Sequence, residues 1–125
     1  MIIYEDAPDI REKSAEIILT AGFTHIKTNF VAYLRSRGSA SRRVIARCHA
    51  LPRIMQKALN IDAFYIIEVL TERYDNLSAE EKIKTLIHEL MHIPKSFGGG
   101  FIHHNLVNRR EVEKVWDRIK MQIKI

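Results

Sequence analysis

Leu86-Ile87-His88-Glu89-Leu90-Met91-His92, followed by Pro94 and the glycines Gly98, Gly99 and Gly100, is the stretch on which the fold turns. On a helix, His88 and His92 lie one turn apart on the same face, close enough for both imidazoles to hold a single ion. This is the H-E-x-x-H spacing, in which the glutamate between the histidines serves as general base on a metal-activated water. The reading depends on helicity, and the flanking residues supply it. Ser78 followed three residues later by Glu81 is a capping box, so the helix should begin at Ala79.

Ile83, Leu86, Ile87 and Leu90 then recur at helical spacing as one apolar stripe. At about 100° per residue, His88 and His92 fall on roughly the opposite side, with Thr85 between them and Glu89 alongside. One face should pack on a core while the other presents the histidines to a cleft. Pro94 disfavours helix at Ile93 and ends the element just after His92.

Upstream, Ala63 to Thr71 is apolar and rich in β-branched and aromatic residues, which predicts a strand covered on both faces. Val44, Ala46, Cys48 and Ala50 alternate up to Pro52, and Ile26, Phe30, Ala32 and Leu34 alternate through Thr24 to Arg35. With a turn over 36–41, these two runs predict a hairpin with a basic tip. Residues 8–21 read as a helix with Pro8 early in its first turn and Gly22 behind it. Residues 52–59 fit either a short helix or an irregular edge segment.

Downstream, Lys95 to Leu106 reads as a loop. Asn108 with Glu111 starts a last amphipathic helix through Val112, Val115, Trp116, Ile119 and Ile123. The expected class is α+β: about three strands, mostly antiparallel, packed against the histidine helix, with one helix at each end of the chain. At 125 residues, with no linker, repeat or low-complexity segment, the chain should form one domain over 1–125.

Catalytic zinc takes three protein ligands and an open position, so His88 and His92 need a third. His103 and His104 stand eleven and twelve residues beyond His92, across a glycine-rich turn long enough to fold back over the helix end. The spacing H-E-x-x-H-x-x-G-x-x-H is not met, since Lys95 and Gly98 occupy the relevant positions. Glu111, nineteen residues after His92, is the rival from the next helix, although Asn108 already explains it as a cap partner. His25 and His49, on the expected strands among basic neighbours, read as surface or edge residues.

Ile67-Glu68-Val69-Leu70, Leu77-Ser78, His88 to Lys95, and Phe97-Gly98-Gly99-Gly100 with a terminal histidine together resemble a family of small metallopeptidases of archaea and phages. That family is similar in outline to SprT-like minimal zincins, and the likeness covers about residues 44–105. It implies a zincin-like fold, Zn2+ as cofactor and a peptide or protein as substrate. In that family the glycine loop tends to end in Pro-His; here the proline position is His103 and the histidine position is His104. The resemblance therefore favours His104 as third ligand.

The expected reaction is peptide hydrolysis with His88, His92 and His104 on zinc and Glu89 as general base. A peptide could lie extended along a strand edge near the helix, either 44–50 or 64–70, with Tyr33, Tyr65 or His49 as candidate oxyanion support. A second reading comes from charge. Net charge is +5, and no acidic residue stands between Glu16 and Asp62. The basic 35–57 region, with Arg35, Arg37, Arg42 and Arg43 at its front, could contact nucleic acid, as part of a DNA-linked protease or a non-catalytic zinc-stabilised binding module. No apolar run is long enough to span a bilayer and no signal-peptide pattern opens the chain, so no membrane association is expected. Cys48 is the one cysteine, and a reducing, cytoplasmic setting is the simplest expectation.

Overall fold

In the computed structural model, which describes residues 1–125, the sheet is built around Tyr65–Leu70 (β4). Tyr65, Ile67, Val69 and Leu70 are completely buried. A strand apolar on both faces belongs at the centre of a sheet, where neighbours cover it on each side. On one side β4 runs parallel to Val31–Arg37 (β2), with Val31 opposite Tyr65 and Ser36 opposite Leu70. On the other it is antiparallel to Ala46–Ala50 (β3), with Ala46 opposite Val69 and Ala50 opposite Tyr65. Ile3–Asp6 (β1) adds to the far side of β2, so the order is β1-β2-β4-β3.

The sheet thus has four strands rather than the three expected, and it is mixed, with two antiparallel pairings and one parallel. β1 escapes sequence reading because all four of its residues are exposed, so no face imposes an alternation. The hairpin between the second and third strands does not form. The more apolar β4 inserts between them, and the connection over 38–45 crosses its end. β2 begins at Val31 rather than near Thr24, because the chain from Gly22 to Phe30 is turns and a short 3-10 segment over Thr28–Phe30. Ile26 is buried there by a turn, its N–H bonded to the Phe23 carbonyl. Buried Ile26 thus continues the alternation numerically without belonging to a strand.

The first and the last two helices form where the sequence places them, and two short ones join them. Pro8–Ala21 (α1) carries Pro in its first turn and ends on Gly22, whose φ of 74° is the left-handed conformation that closes a helix at little cost for glycine. Residues 53–59 are helix: Arg53–Leu59 (α2) lies on the surface with no buried residue. Thr71–Tyr74 (α3) follows β4 directly. Ala79–Met91 (α4) begins where expected, with the Ser78 hydroxyl accepting from the Glu81 N–H at 3.2 Å. Arg109–Ile119 (α5) is capped in the same way by Asn108.

α4 is the central layer on the sheet. Its Ile83, Leu86, Ile87 and Leu90 are at most 2% exposed, and it packs against β3, α1 and α5. Each of these side chains contributes about 1.5–3 kcal/mol through burial. The pairing register also sorts β3. Ala46, Cys48 and Ala50 share a face with Val69, Ile67 and Tyr65, while Arg47 and His49 share the other with Glu68 and Ile66. The small side chains of the first set let α4 approach this edge closely.

Truncation of the stripe tests this layering. Leu86→Ala should lower unfolding free energy by about 2–5 kcal/mol in urea titration, the range for a fully buried leucine. A loss below about 1 kcal/mol would mean that this face of α4 is not in the core.

Candidate metal centre

Because the apolar stripe fixes the rotation of α4, the opposite face looks into a cleft of about 610 Å³ between α4, the outer edge of β3 and the start of α5. His88, Glu89 and His92 line it, as do Thr85, Cys48 and His49. His104 reaches the same space from the loop. The ligand atoms of His88, His92 and His104 lie within 4.8 Å of one another, and their ring centroids are 4.7–5.4 Å apart.

The loop is held so that His104 arrives there. His92 and Ile102 bond reciprocally: the His92 Nδ1–H donates to the Ile102 carbonyl, and the Ile102 N–H donates to the His92 carbonyl at 2.8 Å. The first bond places the proton on Nδ1 and leaves Nε2 free as a ligand. Phe101 stacks on the His92 ring at 4.3 Å with an interplanar angle of 13°. Behind the site, the Tyr65 hydroxyl donates to the Gly100 carbonyl at 2.8 Å and accepts from the Gly99 N–H at 3.0 Å. Gly99 has φ 102°, and a Cβ there would sit 2.4 Å from Nε2 of Gln56 on α2. Glycine at 99 therefore lets the loop pass close to α2.

The electrostatics suit a cation. Burial, reinforced by His92 and His104, pushes the His88 imidazole down to about 4, so it is neutral near pH 7. Burial also lowers His92, against the opposing bond to Ile102. Glu89 is 7% exposed, and burial alone pushes its carboxyl up to about 7. Three imidazole donors beside a carboxyl that makes no ion pair are a donor set that fits a divalent metal ion.

The remaining expected residues fall elsewhere. His103 is exposed and stands against Phe101 rather than in the cluster. The Glu111 carboxylate pairs with Lys114 at 3.0 Å, outside the cleft. His25 bonds the Ile93 carbonyl at 3.1 Å. Tyr33 is buried in the core and Tyr65 is committed to the glycine loop, so neither lines the cleft. His49 does, with Nε2 2.8 Å from Oε1 of Glu68. Burial pushes the Glu68 carboxyl up, but Ser36, His49 and Arg47 together hold it below the usual glutamate value. β4 is interior, so 64–70 offers no free edge, whereas the outer edge of β3 borders the cleft.

The four arginines do not form one free surface. Arg35 bridges Asp9 and Asp75, and Arg37 pairs with Glu5. Arg42 and Arg43 remain exposed on the connection to β3. Sequence reasoning missed Phe101 and the Ile102 carbonyl as supports for His92. Their only signal was an aromatic and an aliphatic residue between the glycine run and the paired histidines.

A family profile described as putative phage metallopeptidase matches residues 2–124. No curated protein and no solved structure matches the chain.

The raised pKa of Glu89 fixes the sign of a pH effect. A carboxyl whose folded pKa lies above its unfolded value favours the folded state while protonated, and that contribution is lost as pH rises from about 4.5 through about 7. In metal-free protein, Glu89→Gln should therefore gain stability relative to wild type between pH 4 and pH 8, by on the order of 3 kcal/mol. Thermal melts across that range check it, and a difference independent of pH would show that Glu89 ionises normally.

Proposed function

The chain belongs to the phage metallopeptidase family, and we propose that it is a zinc peptidase in which His88, His92 and His104 hold the ion and Glu89 is the general base. The observation that carries this reading is the convergence of three imidazoles beside a buried, unpaired carboxylate, in a cleft bordered by a free strand edge. When bound, the ion would lower the pKa of water and polarise the scissile carbonyl. Glu89 takes the proton of the attacking water and delivers it to the departing amine, a task for which a pKa near 7 is well placed. A substrate segment adds to the outer edge of β3 through main-chain hydrogen bonds, which places its carbonyl between that edge and α4. The His92–Ile102 bonds and the Phe101 stack hold the ligand ring in one orientation, so less reorganisation accompanies binding.

Zinc binding by chelator competition, read together with hydrolysis of an unfolded protein substrate, tests the assignment. Glu89→Gln should keep zinc and lose about 10²–10⁴-fold in turnover. Replacing His88, His92 or His104 by Ala should remove tight zinc binding, whereas His103→Ala and Glu111→Ala should retain it. Full turnover in Glu89→Gln would sink the general-base role. Loss of zinc in His103→Ala but not in His104→Ala would reassign the third ligand. Unfolding on chelation, with no hydrolysis by the zinc-loaded protein, would favour a zinc-stabilised binding module.

A further inference from the structure

The two walls of the cleft carry different charge. On the helical wall every cation is matched. Lys84 lies 2.8 Å from both Glu80 and Glu113, and Arg109 is 3.3 Å from Glu81 and 3.6 Å from Glu113. Two cations there meet three carboxylates. On the strand wall the balance is reversed. Arg43 and Arg47 both line the cleft; Arg47 lies 3.6 Å from Glu68, which it shares with His49, and Arg43 makes no ion pair. Arg42 stands exposed next to them without an ion pair. With Arg35 and Arg37 neutralised elsewhere, Arg42 and Arg43 at the entry to β3 keep unmatched charge, as do Arg53 and Lys57 on α2, and of these four Arg43 lines the cleft.

The register of β3 says which substrate side chains would meet that charge. A segment added to its outer edge alternates between the two faces of the extended sheet. Side chains turned inward lie beside Ala46, Cys48 and Ala50, toward Thr85 and Val112, where small or apolar groups fit. Side chains turned outward lie beside Arg47 and His49. We propose that the cleft selects extended peptide segments with acidic side chains at these outward, alternate positions, and that Arg43 and Arg47 set the preference. This inference rests on the peptidase reading for its site but not for its test.

A nucleic acid fits the same observations less well. A continuous phosphate chain makes no use of a free strand edge, and it would face Glu81 and Glu113 across the cleft. Phe101 is the one cleft-lining residue with a phenyl ring for base stacking, and that ring is already stacked on His92.

Fluorescence anisotropy with the zinc-loaded Glu89→Gln protein reads binding without turnover. The probes are labelled twelve-residue peptides of one apolar frame carrying Glu, Gln or Lys at alternate positions, together with an oligothymidylate of the same net charge as the Glu peptide. Opposite-charge pairs across neighbouring strands are individually modest, so the Glu peptide should bind about three- to ten-fold tighter than the Gln peptide at low salt. The advantage should shrink as ionic strength rises. Adding Arg43→Ala and Arg47→Ala should abolish it by bringing the Glu peptide down to the affinity of the Gln peptide. Adding Arg43→Glu and Arg47→Glu should turn the preference toward the Lys peptide.

Equal affinities, or a preference that survives loss of both arginines, would overturn the proposal. So would tighter, arginine-dependent binding of the oligothymidylate, which would make this edge a nucleic-acid surface. An arginine-dependent preference in a protein whose wild type hydrolyses nothing would uphold this inference and sink the peptidase reading. Hydrolysis indifferent to peptide charge would do the reverse.

Discussion

The seating of α4 on the sheet is the constraint from which the site follows. Leu86, Ile87 and Leu90 are completely buried, and interiors at near-crystalline packing density leave a helix little freedom to rotate. The direction of the opposite face is therefore set by apolar contacts that take no part in chemistry. Close approach of α4 to β3 needs small residues at Ala46, Cys48 and Ala50. The edge strand and the histidine helix thus form two sides of one cleft because the strand's side chains facing the helix are short.

Once α4 is placed, the loop must return to it. Ile102 stands ten positions after His92, and the reciprocal hydrogen bonds between them convert that span into a closed loop. Tyr65, completely buried in the central strand, holds the glycines from beneath through its hydroxyl. A tyrosine at this position thus has a structural task, anchoring the segment that leads to His104. The bonds from sheet to loop and from loop to helix end act in series. Loss of the Tyr65 bonds would free the third histidine alone, whereas loss of the His92–Ile102 bonds would also release the orientation of the His92 ring.

Charge is distributed by the same architecture. Arg35 and Arg37 are close in sequence to Arg42 and Arg43, yet the order of strands gives them opposite fates. β2 lies between β1 and β4, and this brings Arg35 to Asp9 and Asp75 and Arg37 to Glu5. The connection to β3 carries Arg42 and Arg43 beyond reach of those carboxylates. A uniformly basic stretch of sequence becomes one neutralised surface on β2 and one free pair of cations at the entry to β3.

Local signals in the sequence suffice for α1, α4 and α5 and for placing His88, Glu89 and His92 on one turn of α4. Capping boxes, the proline and the 3.6-residue stripe are local signals, and α4 and α5 begin at the residues those signals name. His88, Glu89 and His92 share a face because helix geometry alone requires it. Whatever depends on contacts distant in sequence was decided by the tertiary structure. An exposed strand such as β1 leaves no alternation to read. The exchange of an expected hairpin for a central β4 is a competition among strands for burial that no single strand records. The choice of His104 over His103, adjacent and chemically identical, belongs to the loop, whose path is set by hydrogen bonds to His92 and Tyr65. Neighbouring residues in a loop point in different directions, and only the packed backbone determines which one reaches the cleft.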